Sequence, residues 1–230
     1  MDKVYLGIDV GSKIIKGVVM DNNYNIIIKK YLYIDKLSIN KAKKLISILS
    51  NETKKLGLKI VSIGITGVGR RLIGKRIGAD VIKNEIECNA IGINYINSNI
   101  RTIVDVGYDN LKIIKLNKGI VSDYNIYDIY NLDCKDEEDI INKTSISLIN
   151  ILRNNKLVEP ISLHGGFSKN KRFVIDLKRL VKKNIYIDKD SLYIGAFGVA
   201  ILTKNTKLEK EINWDNILSK FGVLNEKDTI

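Results

Sequence analysis

The sequence predicts an α/β protein of two related lobes, each running β-β-β-α-β-α-β. Three observations carry that expectation. Apolar runs of strand length alternate with amphipathic helical segments. The order of segments in residues 1–99 recurs in residues 100–204, and each half opens on the same short element. "LGIDVGSKIIKG" from Leu6 and "TIVDVGYDNLK" from Thr102 both place Asp-Val-Gly ahead of a lysine, pairing Asp9 with Lys16 and Asp105 with Lys112 at one spacing. A repeated order that starts on a repeated turn is the mark of an internal duplication.

In the first half, Val4 to Asp9 reads as an apolar strand, Gly11-Ser12 as a tight turn, and Ile14 to Met20 and Tyr24 to Ile34 as two more strands. Ser38 caps a helix with Ile39, Ala42, Leu45, Ile46, Leu49 and Leu56 on one face, and Gly57 ends it. Residues 60–66 form a buried strand, and residues 68–76 and 85–97 are helical. In the second half, residues 101–106, 111–116 and 119–126 are strands. A helix over 136–153 carries Ile140, Ile141, Leu148 and Leu152, and "PISLHG" is a strand. A helix from Ser168 to Lys182, the strand "NIYI" and a helix through "IGAFGVAILT" complete it. Residues 205–230 are a helical tail with Trp214, Ile217, Leu218 and Phe221 on one face. Such a stripe docks on the protein's own lobe or on a partner.

The composition excludes several classes. At 230 residues, 45% hydrophobic and 28% charged, the chain has enough apolar material for a sizeable core. No apolar run reaches membrane-span length, and no signal peptide is apparent. Two cysteines, Cys88 and Cys134, are too few for a disulfide scaffold and suit a reducing cytoplasm. The formal charge of +12 is spread along the chain without a basic block studded with aromatics, which argues against nucleic acid. A lysine-rich composition throughout accounts for it; attraction to an acidic ligand or partner is the alternative.

A glycine-bearing turn between two strands lets backbone N–H groups converge on phosphate oxygens. An aspartate ending the first strand can hold Mg²⁺ through water, because Mg²⁺ keeps part of its hydration shell. Two such turns facing each other across a cleft would grip a triphosphate, unlike a P-loop, whose Gly-Lys-Ser/Thr pattern is missing here. A third glycine site, "LHGGFSKN", ends a strand at His164 and opens a helix behind Gly165 and Gly166. It reads as a site for ribose, base or phosphate, or as a plain strand-to-helix turn. Gly195, Ala196, Gly198 and Ala200 let the last helix of the second half pack closely, against that site or simply against the protein.

These glycine sites resemble those of the sugar kinase, heat-shock ATPase and actin superfamily. Within it, the chain is most similar to the activators of 2-hydroxyacyl-CoA dehydratases and the related benzoyl-CoA reductase ATPase subunits, the BadF/BadG/BcrA/BcrD type. "GIDVGSKIIKGVVMD", "GITGVGR", "NEIECNAIG", "TIVDVGYDNLKII", "LHGGFSKN" and "IGAFGVAIL" match in order. The resemblance implies actin-like (ribonuclease H-like) lobes with a nucleotide cleft between them. It assigns Asp9 and Asp105 to the Mg²⁺–phosphate centre and Gly11, Ser12, Lys13 and Gly107 to the phosphates. Gly165, Gly166 and Asn170 fall near the nucleoside, and Gly195 is a further candidate for the cofactor site. Glu85 matches the family's glutamate and would orient attacking water; on the residues alone it reads equally as a carboxylate at a helix N-terminus.

The departures from the family carry as much weight. Family activators hold one 4Fe–4S cluster between two subunits, each giving two cysteines. Here "YNIYDIYNLDCKDEED" puts Tyr130 where one cysteine belongs, Cys134 lies four residues late, and the segment for the second ligand is gone. Four thiolates are the usual requirement, so no cluster is expected, and Cys88 reads as a buried structural thiol. Tyr108 stands where the family has a second glycine, crowding the γ-phosphate, and Asn89 replaces a histidine. The reading is an ATP-binding activator-like protein using ATP or ADP with Mg²⁺, with or without hydrolysis. Its partner would be a dehydratase- or reductase-like client or a homodimer mate. The alternatives are a non-catalytic pseudo-ATPase scaffold and a small-molecule kinase.

Overall fold

From Val4 onward every residue of β1 (Lys3–Val10) is buried, on both faces and apolar except for Asp9, as expected of a central strand covered on both sides. A computed structural model describes residues 2–34, 39–129, 137–206 and 208–219, with the side chains of 137–144 excepted. Strands β2 (Ile14–Met20) and β3 (Ile26–Tyr33) follow β1 as an antiparallel meander. Helix α1 (Ile39–Lys55), β4 (Lys59–Thr66), α2 (Arg70–Ile77), the two-residue β5 (Val81–Ile82) and α3 (Glu85–Ile96) complete the first repeat. The second repeat is β6 (Thr102–Val106), β7 (Asn110–Asn117), β8 (Ile120–Asp128), α4 (Glu137–Asn154), β9 (Ile161–His164), α5 (Lys171–Val181), β10 (Ile185–Tyr186) and α6 (Ile194–Asn205). Helix α7 (Trp214–Ser219) closes the described chain.

The sheets have the same order, β3-β2-β1-β4-β5 and β8-β7-β6-β9-β10. In each, the central strand pairs antiparallel with the next strand and parallel with the strand after the first crossover helix. The duplication expected from the sequence is therefore a duplication of topology. Leu6, Ile8, Leu45, Leu49 and Ile65 lie in the first core, and Val104, Ile113, Leu148, Leu163 and Phe173 in the second.

The chain divides into one unit of residues up to Gly92 together with those from Tyr193 onward, and a second unit of Ile93–Leu192. The 1–99, 100–204 and 205–230 division read from the sequence runs through α6 differently. That helix ends the second repeat, yet it packs on β1 and β4 of the first sheet. Its small residues permit the approach: a Cβ on Gly7 would collide with the Ala196 carbonyl, and one on Gly198 with the Cys88 carbonyl. Helix α6 thus covers the first sheet.

The tail docks on the first lobe, the first of the two readings made from its apolar stripe. Ile212 and Ile217 join the first core, with Trp214 and Leu218 packed against it. Lys210 donates through its backbone to the Val61 carbonyl at 3.0 Å and pairs through Nζ with Asp80 at 2.7 Å. Phe221, Tyr130, Cys134 and the Ser38 cap lie outside the described residues.

The helix expected from Ser168 starts later. A single 3₁₀ turn over Gly166–Lys169 intervenes, and Asn170 caps α5 by accepting from the Phe173 N–H at 3.0 Å. Ser168 is held inside the loop, its hydroxyl donating to the Gly165 carbonyl at 2.7 Å and lying 2.8 Å from the Ser191 hydroxyl. A serine that caps well by itself is here recruited by tertiary partners.

Candidate functional site

The β1–β2 hairpin sets Asp9 directly opposite Lys16. Residues opposite one another on paired strands share a face, and Lys16 Nζ meets Asp9 Oδ2 at 2.7 Å. The parallel neighbour β4 brings Thr66 beside Asp9, and Gly67 follows with φ at +88°. Only glycine takes that backbone without strain, and a Cβ there would sit 2.5 Å from both Asp9 Oδ1 and the Val10 carbonyl. The carboxylate is buried, and its Oδ1 has no hydrogen-bond partner among the described residues.

The second lobe repeats this device. Asp105 faces Lys112 across β6–β7, with Nζ 3.5 Å from Oδ2. On its parallel side β9 supplies His164, and Gly165 follows with φ at +81°. A Cβ on Gly165 would lie 2.8 Å from Asp105 Oδ1 and collide with the Val106 carbonyl. Even the turns match: the Gly11 N–H donates to the Ile14 carbonyl at 3.1 Å, and the Gly107 N–H to the Asn110 carbonyl at 3.0 Å. Each half-site is thus an aspartate on a central strand, a lysine from the antiparallel neighbour and a glycine after the parallel one.

The two copies differ in ways that change their chemistry. Lys112 Nζ also donates to Asn110 Oδ1 at 2.6 Å, an interaction with no counterpart at Ile14. His164 stands where the first lobe has Thr66. Burial pushes its imidazole down to about 4, outweighing the nearby carboxylates of Asp105 and Asp188, and Nε2 lies 2.9 Å from the Ser162 hydroxyl. It is a neutral ring at physiological pH. Asp109, beside Tyr108, has a buried Oδ1 without a hydrogen-bond partner among the described residues.

The remaining expected residues fall as follows. Ser12 and Lys13 are half-buried in the first turn, and the Lys13 carbonyl accepts from the Ile34 N–H at 2.8 Å. Tyr108 is 55% exposed. Gly166 opens the 3₁₀ turn, and the Asn170 side-chain oxygen is engaged as a helix cap. Glu85 is the half-buried first residue of α3, and Asn84 caps that helix by accepting from the Glu87 N–H at 2.9 Å. One turn on, buried Asn89 lies close to Asp9: a Cβ on Gly195 would be 3.2 Å from Asp9 Oδ2 and 3.7 Å from Asn89 Oδ1. The first lobe thus gathers Asp9, Asn89 and Gly195, and the second gathers Asp105, His164 and Gly165.

Gly195, a cofactor-site candidate from the sequence, lies in the first lobe beside Asp9. Lys16, Lys112 and Gly67 were not assigned to the site from sequence. The signal for the lysines was the shared spacing after each aspartate, which a tight hairpin converts into a cross-strand pair.

Among the described residues no group of three or more His, Cys, Asp or Glu converges as a metal cage. A single buried carboxylate with one open oxygen instead suits Mg²⁺ that retains its waters and binds mainly to phosphate. Cys88 is fully buried, and its thiol is pushed up to about 12 by that burial, the environment of an inert thiol rather than a thiolate ligand.

A family model described as the BadF/BadG/BcrA/BcrD ATPase family matches residues 6–131. The chain is 27% identical over 123 residues to the (R)-2-hydroxyglutaryl-CoA dehydratase activating ATPase of Acidaminococcus fermentans, a stretch covering 54% of this chain and 46% of that protein. It is 29% identical over 111 residues to the 2-hydroxyisocaproyl-CoA dehydratase activator of Clostridioides difficile, covering 48% and 40% respectively. The matches thus span about half the length of these curated relatives. The crystal structure of the Clostridium difficile activator with bound ADPNP superimposes with a TM-score of 0.73 at 18% identity, over 91% of this chain and 99% of that one.

Proposed function

Because the chain belongs to the BadF/BadG/BcrA/BcrD ATPase family, we propose that it binds Mg·ATP through its two Asp-Val-Gly turns and passes its nucleotide state to a client enzyme. The observation that carries this reading is the repeated half-site, above all the buried Asp9 oxygen left open beside Gly67. A buried carboxylate oxygen without a partner is costly unless a ligand completes it. Asp9 and Asp105 would hold Mg²⁺ through its waters, and the ion supplies neutralisation of phosphate charge. Lys16 and Lys112 pair with the two carboxylates from the opposite strand and hold them in place. Gly11, Ser12, Lys13 and Gly107 would line the phosphates at the turns, the Gly11 and Gly107 N–H groups closing the two hairpins, and the Gly165–Asn170 loop would receive the nucleoside. Glu85 orients the attacking water.

The two relatives named above are activators of 2-hydroxyacyl-CoA dehydratases. A dehydratase- or reductase-type client is proposed on that basis, as is a second copy of the chain as dimer mate. The chain works without an iron–sulfur cluster: Cys88 is buried, and Tyr130 takes the place of a ligand.

A second reading rests on Tyr108 and Asp109. A tyrosine and a carboxylate with an open oxygen, both at the second turn, disfavour a third phosphate through bulk and charge. On that reading the chain binds nucleotide and does not turn it over. Release of inorganic phosphate from Mg·ATP separates the two. Turnover abolished by Glu85→Gln is the result expected of an ATPase. Binding without release, with preference for ADP that Tyr108→Gly reverses, is the result expected of the scaffold.

A further inference from the structure

Thr66 on β4 lies directly beside Asp9 on β1, and side chains of paired residues on neighbouring strands point to one face. Thr66 is fully buried, and Asp9 is 7% exposed. Among the described residues, neither Thr66 Oγ1 nor Asp9 Oδ1 has a hydrogen-bond partner. A buried polar atom left unpaired is costly, and here two stand at one register position. The second lobe provides an internal comparison. His164 takes the place of Thr66 there, with Nε2 2.9 Å from the Ser162 hydroxyl. Neither His164 nor Asp105 leaves a buried side-chain atom unpaired. The open pair at this register belongs to the first copy.

The chemistry of the two atoms selects what completes them. Asp9 Oδ1 can only accept. Its sister Oδ2 is met by Lys16 Nζ at 2.7 Å, so the carboxylate charge is already matched and a bare cation gains little. A phosphate oxygen would bring negative charge against Asp9 with no hydrogen to give. The Cys88 thiol beside the Thr66 hydroxyl is a weak partner that leaves the oxygen's lone pairs open. What remains is two acceptors on one face, about one strand spacing apart. They call for a group with two hydrogens to donate. A water bound to Mg²⁺ is such a group, because the ion holds its lone pair and Mg²⁺ keeps several waters. The inference rests on the Mg·ATP reading: we infer that Thr66 is a positioning residue of the metal site, its hydroxyl and Asp9 Oδ1 together accepting the two hydrogens of one Mg²⁺-bound water. The stretch "GITGVGR" thereby gains a purpose, since Thr66 and Gly67 both border Asp9.

The test compares the full chain with Thr66→Val, which removes the hydroxyl at nearly constant shape, and with Thr66→Ser, which keeps it. Without ligand, Thr66→Val should melt at or above the wild-type temperature, because a methyl group replaces an unpaired buried hydroxyl. In calorimetric titration with Mg·ATP the same variant should bind about tenfold more weakly, and Thr66→Ser should restore most of the affinity. A hydroxyl with a purely structural role gives the reverse, a lower melting temperature at unchanged affinity. With ATP and excess EDTA the three proteins should bind alike or equally fail to bind, since the hydroxyl meets the nucleotide only through the metal's water. The inference is overturned if Thr66→Val melts clearly below the wild type, or if it binds Mg·ATP as tightly. It is also overturned if the loss persists in EDTA, because the hydroxyl would then meet phosphate directly. Failure of the wild type to bind Mg·ATP overturns the nucleotide reading and this inference together, whereas wild-type binding that Thr66→Val matches overturns the inference alone.

Discussion

His164 and Thr66 occupy the same register position beside their aspartates, and the exchange makes His164 a sensitive probe of the second half-site. The ring is fully buried and titrates near 4, against an unfolded value of about 6.5. As pH falls below 6.5 the unfolded chain takes up the proton first, so its stability gains on that of the fold. Stability is therefore full above that value and falls toward pH 4, by at most about 1.4 kcal/mol per pH unit from this one group. The chain has a single histidine, so its imidazole proton resonances are unambiguous in an NMR titration. They should hold their shift between pH 7.5 and 5.5; a midpoint near 6.5 would mean that the ring reaches water and that burial does not control it. Asp9, Asp105, Gly11 and Gly107 stood out in the sequence because each lies in a repeated motif. His164 was visible only as part of a glycine loop, since its pairing with Asp105 depends on a parallel strand nearly sixty residues away.

At the level of elements, the three-strand device needs a residue without a Cβ after the parallel strand. Gly67 and Gly165 combine a positive φ with a collision, whereas Gly57, also at positive φ, has nothing within 4 Å of its added Cβ. Gly57→Ala should cost only the left-handed strain, about 1 kcal/mol. Gly67→Ala and Gly165→Ala carry the same strain and a clash with carboxylate and carbonyl, and each should lower the melting temperature clearly further. Equal losses at all three positions would show that the strands yield and that the glycines do not shape the half-sites. The strands and helices themselves were largely readable, because apolar periodicity reports burial directly. What periodicity does not report is which sheet a helix covers. "IGAFGVAIL" is apolar all round, and only tertiary packing sends α6 back to the first sheet. The start of α5 was misplaced for the same reason, Ser168 being drawn to Ser191 rather than to a helix end.

For the whole molecule, the duplicated topology and the family membership support the proposed nucleotide-binding role, and Tyr130 in place of a cluster cysteine leads to the expectation that no iron–sulfur cluster is held. Anaerobic iron–sulfur reconstitution should leave the protein colourless, because a cluster needs about four thiolates and Cys88 is buried with its thiol pushed up to about 12. A brown product with stoichiometric iron would contradict that and make Cys88 and Cys134 ligands after all. The two-lobed plan was legible because each half repeats its order of elements, and the apolar stripe of the tail pointed to docking on the protein itself, while the placement of α6 was not legible, being set by packing between segments distant in the chain. The central claim is that the paired Asp-Val-Gly turns are a Mg·ATP site. Calorimetric titration of Mg·ATP into the wild-type chain, Asp9→Ala and Asp105→Ala tests it most directly. The expected result is saturable heat for the wild type and a loss of about tenfold or more in affinity for each variant, since each removes a charged partner of the metal–phosphate centre. Absence of binding by the wild type at millimolar Mg·ATP, or the same affinity in all three proteins, would contradict it.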